Sequence, residues 1–479
     1  MRPITGVRGF AGGRRRRSVL LASCAMAAML LGSCAAGPSY IAPAPSELGA
    51  PPAFTQVEGV APGNVAQDWW VEFGDPGLDA VVRQALEANL DVAQARSRLR
   101  QARAGLVEAR ASLLPGLQGS VGASRNAQDS EFLSLGLDAS YELDLFGGTR
   151  RGVEAARAGV QASEAQLEAI RLSIAAEAVL NYLAAREAEA RLAIARDNLS
   201  ALDETVDIVG WRRQAGLADE LDLAQATQLR AQARAALPGL EADRRAALNR
   251  LSVLVGAAPG AGGVQLDPAG GLPAAPALLP GIAPADVIRR RPDVRQAERE
   301  LAAQTARVGV ATAAMMPALR LAGSLAGAGA DLPGAADAMA DAVSALLIQP
   351  LFAGGRLAAA REGQKAAAEA ALMAYRQAVL VAFEDVENAL SRLGASRSRL
   401  EAAQISEASA RTAAQIARLR YRSGQIDFQG LLEVERTLLG ASDALVSART
   451  DRAGAAVGLY KALGGGWAAT TSTGTAEGR

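Results

Sequence analysis

The pattern of apolar and polar positions changes period along this chain. Between 132 and 143, Leu133, Leu135, Leu137, Ala139, Tyr141 and Leu143 alternate with Ser134, Gly136, Asp138, Ser140 and Glu142. Period two predicts a strand with one oily and one wet face. Residues 117–121 and 319–325 alternate less cleanly, and 343–351 is mostly apolar; these are expected as three more short strands. Elsewhere alanine, leucine and arginine recur at helical spacing. A helix is expected near 78–113 and another near 293–314, stopped by Pro115 and Pro317. Very long helices are expected at about 149–210 and 356–423. Sixty such residues would span roughly 90 Å. Gly147-Gly148 and Gly354-Gly355 mark the turns into them, and Gly216 and Gly424 break them. Asp219 and Asp427 stand where N-caps of the final helices are expected, and those helices run to Gly256 and Gly464.

These elements occur twice. Asn89-Leu-Asp-Val-Ala-Gln-Ala95 matches Arg291-Pro-Asp-Val-Arg-Gln-Ala297. Pro115 pairs with Pro317, Leu145-Phe146 with Leu351-Phe352, Arg150 with Arg356, Gly216 with Gly424 and Gly256 with Gly464. The offset grows from 202 to 206 to 208, and only between segments, as loop insertions would make it. The fold class is therefore mainly α with a β portion, built from a duplicated helix–strand–strand–helix unit. The chain divides into residues 1–33, an N-terminal extended segment 34–77, a first repeat 78–256, a Pro/Gly/Ala-rich linker 257–284, a second repeat 285–464 and a tail, 465–479, that reads as disordered.

Four strands cannot close a transmembrane barrel, and lipid does not tolerate an open sheet edge. If the strands enter a membrane, several chains must share one barrel, and three chains would supply twelve strands. The long helices would continue its wall as a tube. A small soluble β-domain capping a coiled coil is the other reading of the same pattern.

Chemistry is constrained by what the chain lacks. It has no histidine, and its cysteines are Cys24 and Cys34 alone. Zinc sites, thiol nucleophiles and Ser-His-Asp triads are excluded on that count, so no catalytic residue, metal or cofactor is expected. The 50 acidic residues read as solvated helix faces. Basic Arg14 to Arg17 precede an apolar stretch, 19–31, too short for a membrane span but flanked as a secretory signal is. Leu31-Gly32-Ser33-Cys34 resembles a bacterial lipobox, in which Cys34 becomes the mature N-terminus and carries lipid. Ala35, in place of an aspartate, points to outer-membrane sorting. Removing 1–33 removes six arginines and no acid, leaving 44 basic and 50 acidic residues, and a nucleic-acid partner is not expected. No other apolar run reaches 18 residues, so no transmembrane helix is expected.

Several segments resemble the TolC-like outer-membrane factor family, in the lipoprotein branch that serves resistance-nodulation-division efflux pumps. They are Cys34 to Pro43, Trp69 to Leu78, Ile288 to Glu298, Gln349-Pro-Leu-Phe-Ala-Gly-Gly-Arg356 and Leu459-Tyr-Lys-Ala-Leu-Gly-Gly-Gly-Trp467. The ordered set covers roughly 34–467. The resemblance implies a trimer with a twelve-stranded transmembrane β-barrel, continued by a twelve-helix periplasmic tunnel. It implies a passive duct for small molecules such as drugs, with a periplasmic adaptor protein and an inner-membrane pump as partners. By the same resemblance Tyr421 and Glu433 belong to a periplasmic constriction, with Gln429 where close relatives carry an apolar residue and Gly430 where some carry a second acid. A duct for type I protein secretion and a periplasmic adaptor are the rival functions. The lipobox and the 288–298 motif favour drug efflux over the first. The repeated helix–strands–helix order speaks against the second.

Overall fold

The structure is a computed structural model. It describes residues 35–55, 60–63, 65–125, 131–260, 263–268, 270–277 and 279–466. Cys34 and most of the tail 465–479 lie outside them. The chain forms two compact units. One comprises Met1–Ala42, Arg100–Ala162 and Ala297–Tyr375; the other Pro43–Leu99, Ser163–Gln296 and Arg376–Arg479.

The duplication is explicit in the elements. In the first copy α1 (Pro76–Ala88) and α2 (Leu90–Ala111) precede β2 (Gly116–Arg125), β3 (Glu131–Leu143), α3 (Gly148–Gln214) and α4 (Glu220–Leu254). In the second, α5 (Pro284–Arg290) and α6 (Pro292–Ala313) precede β5 (Ala318–Gly329), β6 (Ala340–Ile348), α8 (Arg356–Arg422) and α9 (Phe428–Ala462). The long helices α3 and α8 have 67 residues each, about 100 Å of axis. Gly216 and Gly424 follow them at φ +72° each, a left-handed conformation in which a Cβ would be strained. The Asp219 and Asp427 carboxylates then accept from the Asp222 and Gly430 amides and start α4 and α9.

Several features were not legible in the pattern. The expected helix over 78–113 is two helices. Asn89 is buried and extended; its amide donates to the Leu254 carbonyl and its Oδ1 caps α2 through Asp91 and Val92. Pro238 sits inside α4 without ending it. β1 (Val60–Pro62) pairs in parallel with β4 (Leu279–Gly281), which lies in the stretch read as linker. A short helix α7 (Leu332–Asp337) stands between β5 and β6. It lies so close to β5 that a Cβ at Gly327 or Gly329 would meet its backbone at 2.1 or 2.4 Å. Among the described residues, α8 contains the one stretch that could cross a membrane by length and composition alone, and only 22% of it is buried.

β2, β3, β5 and β6 form one antiparallel sheet in that order, so β2 and β6 are its edges. The other unit holds a core running through Trp69, Leu78, Tyr182, Leu251 and Tyr460, all fully buried.

Candidate functional site

The register decides which residues share a sheet face, because side chains alternate and paired residues point the same way. On one face Leu135 of β3 stands opposite Val121 of β2, and Leu137 and Tyr141 stand opposite Leu325 and Leu321 of β5. Leu319 and Gly323 stand opposite Leu347 and Val343 of β6. On the other face the rows run Gln118–Asp138–Ser324–Ala342 and Gly116–Ser140–Ala322–Ser344, with Glu142 paired to Arg320 at 3.1 Å. The apolar face is open: Val121 is 75% exposed, Val343 88% and Leu347 62%. Its charged exceptions, the Arg125–Glu131 pair and Asp341, stand within two residues of the loop ends of their strands. Ten to thirteen residues for three strands and nine for the fourth suit a tilted passage through hydrocarbon.

The N-terminal segment docks where strand turns into helix. The Ala36 amide donates to the Phe146 carbonyl at 2.8 Å, and Ala35 sits against Gly147, whose φ is +78°. Arg151, 8% exposed, donates to Ser39 Oγ at 3.0 Å and pairs with Glu154 at 2.7 Å. Tyr40 donates to Glu298 at 3.1 Å with the Arg299 guanidinium over its ring. The first described residue therefore lies at the base of the sheet.

In the other unit, the motifs from three parts of the chain converge. Trp69 stacks on Tyr460 with ring centroids 4.9 Å apart, and the Tyr460 hydroxyl donates to Glu72. Burial and the adjacent Glu72 carboxylate push that phenol up. Arg291 bridges Asp293 at 2.6 Å and Asp385 at 2.9 Å and donates to the Ala462 carbonyl, an orphan acceptor of the last turn of α9.

At the Gly216 and Gly424 turns the expected constriction residues separate. Tyr421 is buried among Leu202, Val209, Leu229, Phe428 and Leu432. The Arg212 guanidinium lies 4.9 Å from its ring centroid. Burial pushes its phenol up, against the lowering effect of Arg212. Gln429 and Glu433 are both exposed and four residues apart, so they share one face of α9. The structure thus brings Gln429 and Glu433 together and leaves Tyr421 inside the helical packing. Sequence reasoning missed Arg212 and the pair of Arg418 with Glu435, two hydrogen bonds of 2.5 and 2.7 Å that join α8 to α9. Arg212 is four residues before Gly216, but nothing local marks its target.

The family model described as outer membrane efflux protein matches residues 81–257 and 283–465. The pyoverdine export outer membrane protein OpmQ of Pseudomonas aeruginosa is 37% identical over 466 residues, covering 92% of this chain and 96% of that protein. Nodulation protein T of Rhizobium leguminosarum bv. viciae is 31% identical over 454 residues, covering 93% and 94%. Among solved structures, the outer-membrane channel OprN superposes with a TM-score of 0.82 at 36% identity, over 91% of this chain and 100% of that one. The open state of the Neisseria gonorrhoeae MtrE outer membrane channel superposes at 0.80 with 29% identity, over 90% and 98%. A repeated unit matched twice by one family model, over most of the chain, makes this protein a member of the outer membrane efflux protein family.

Proposed function

We propose that three copies of this chain form the outer-membrane duct of a tripartite efflux pump, through which small molecules leave the periplasm. The observation that carries the assembly is the four-stranded sheet with one apolar face and two unpaired edges. Each edge strand would expose a row of backbone donors and acceptors to lipid, at several kcal/mol per unsatisfied group. Pairing β6 of one copy with β2 of the next removes every edge and gives twelve strands. The polar face with Asp138, Ser140 and the Glu142–Arg320 pair then lines water, and the leucine face meets lipid. The duct is passive and carries no catalytic role; the energy comes from an inner-membrane pump of the resistance-nodulation-division kind, coupled through a periplasmic adaptor.

Cys34 bears the lipid. Its neighbour Ala35 rests at the base of the sheet, where an acyl chain on the preceding residue would reach the membrane. Gln429 and Glu433 face the periplasmic constriction, where three copies of an exposed carboxylate around one axis would concentrate cations. Tyr421 acts behind them, as packing.

The assembly is tested on protein extracted from outer membranes in detergent. Light scattering should give a mass of three chains, and planar bilayers should show channel conductance. A monomer released into water once the lipid alone is removed would contradict a shared barrel. The anchor is tested by mass spectrometry of the mature N-terminus, before and after Cys34→Ser. An unmodified terminus at another residue would rule it out.

A further inference from the structure

The two copies of the helix pair each border a cavity beneath the chain segment 270–277, and the two cavities differ in charge pairing. Offset by 208 residues, Glu189, Arg196, Glu241 and Arg244 of the first copy correspond to Arg397, Gln404, Arg449 and Arg452 of the second. In the first cavity, of about 660 Å³, each of the four arginines reaches an oxygen, although the Nε of Arg186 is itself buried without a partner among the described residues. Arg244 pairs with Glu189 at 2.9 Å and Arg196 with Glu241 at 3.2 Å. Arg186 reaches the Asp267 carbonyl at 2.8 Å, and Arg245 reaches the Glu241 carbonyl at 3.3 Å.

In the second cavity, of about 920 Å³, arginines stand at both of the acid positions. Its lining holds Arg397, Arg449 and Arg452 against a single acid, Glu401, and Glu401 already takes Arg397 at 3.2 Å. The segment 272–277 that covers it carries no charge. The nearby Asp451 is held by Arg399 at 2.5 Å. One terminal nitrogen of Arg452, Nη1, is buried and has no hydrogen-bond partner among the described residues. A buried guanidinium nitrogen without an acceptor is unfavourable, and more so beside a second cation. Burial first, and then the Arg397 charge, push the Arg452 guanidinium down.

We infer that the second-copy cavity is a binding site for a small oxyanion, a phosphate or a free carboxylate, held by Arg449 and Arg452 under the segment 272–277. Arg449 and Arg452 are three apart on α9 and so lie on one face of it, and Arg397 approaches from α8. Guanidinium forks match the planar pairs of oxygens that phosphate and carboxylate present. In the first copy Glu189 and Glu241 give Arg244 and Arg196 their acceptors from within. The two acid-to-arginine differences between the copies therefore exchange two internal acceptors for guanidinium groups, and an oxyanion would restore the missing acceptors.

The test uses the full assembly in detergent, titrated with inorganic phosphate at constant ionic strength, with thermal unfolding as the readout. Binding to the native state should raise the midpoint in proportion to the logarithm of phosphate concentration. Arg452→Gln should abolish that response. Arg397→Glu recreates the first copy's Glu189–Arg244 pair in the second. It should melt higher than wild type without phosphate and no longer respond to it. Should Arg452→Gln fail to fold, Arg397→Glu decides alone. A flat wild-type titration, with Arg397→Glu no more stable than wild type, overturns the site. So does a phosphate response that survives Arg397→Glu. A third result also overturns it: no phosphate response, with Arg452→Gln dissociating the assembly, would assign these arginines to contacts between copies.

Discussion

Arg291 illustrates how one side chain can join three segments. It carries the Asp293 carboxylate beside it, the Asp385 carboxylate of α8 and the Ala462 carbonyl that ends α9. Burial alone would push Asp293 up, but hydrogen bonding and charge from Arg291 outweigh it and hold the carboxyl below the usual carboxylate range. A carboxyl with a depressed folded pKa contributes stability above its unfolded pKa and loses it as pH falls through the folded one. Arg291→Met should therefore cost about 1–3 kcal/mol at neutral pH. Thermal melts between pH 3 and 7 should show a shallower loss of stability below about pH 4 in the variant than in wild type. Glu433 makes the contrasting case, because its carboxylate is exposed and the role proposed for it lies in charge alone. Glu433→Gln keeps the volume and removes three charges from the assembled ring. Planar-bilayer recordings should then show weaker cation selectivity and weaker block by multivalent cations from the periplasmic side, with the trimer intact. Unchanged selectivity would place Glu433 off the axis. The position of Glu433 on a helix was legible in the pattern; the burial of Tyr421, eight residues before Gln429, was not, since only the packing of α3 against α8 and α9 decides it.

At the scale of elements, the caps and breaks carry the local logic. Gly424 leaves α8 in a left-handed turn and Asp427 opens α9 three residues later through the Gly430 amide, 2.8 Å away. Asp427→Ala removes that acceptor and should cost about 1 kcal/mol. Hydrogen exchange should quicken at the amides of 428–431 and leave the far end of α9 unchanged; uniform quickening along α9 would mean that the cap does not act locally. The strands show what a short-range pattern carries. The clean alternation in β3 announced its two faces. β6 is almost wholly apolar in its second half and could not declare a face until its register with β5 was known. Asn89 is the reverse case. It interrupts a run of helical periodicity because its side chain finds a carbonyl at the end of α4, 165 residues away.

For the molecule as a whole, the consequence of the register is a pair of adjacent positions with opposite expected outcomes. Val343 is on the apolar face and Ser344 on the polar one, side by side in β6. Val343→Arg would put a guanidinium into lipid at about 2–4 kcal/mol per chain near the bilayer centre, repeated in three copies. It should abolish detergent-extractable trimer in the outer membrane. Ser344→Arg should assemble normally and instead lower conductance and shift selectivity towards anions. Equal tolerance of both substitutions would contradict the assignment of the two faces. The same reasoning explains why the sheet stands with unpaired edges within one chain: its partners are other copies.

Local physics was enough to decide a good deal from the amino-acid sequence. Period two against period 3.6, proline and glycine punctuation, aspartates at N-caps and a repeat offset of 202 to 208 fixed the long helices, the four strands of the main sheet, their order and the duplication. These depend on neighbours within a few residues, or on self-similarity that needs no folding to detect. What the sequence left open were pairings between distant segments. The parallel pairing of β1 with β4, the packing of α7 on Gly327 and Gly329, the Arg291 network and the unmatched charge around Arg452 all depend on partners tens to hundreds of residues away. Arginine and glutamate look alike on every exposed helix face. Only the tertiary structure, by bringing two helices and a covering segment together, separates a guanidinium that has its acceptor from one that does not.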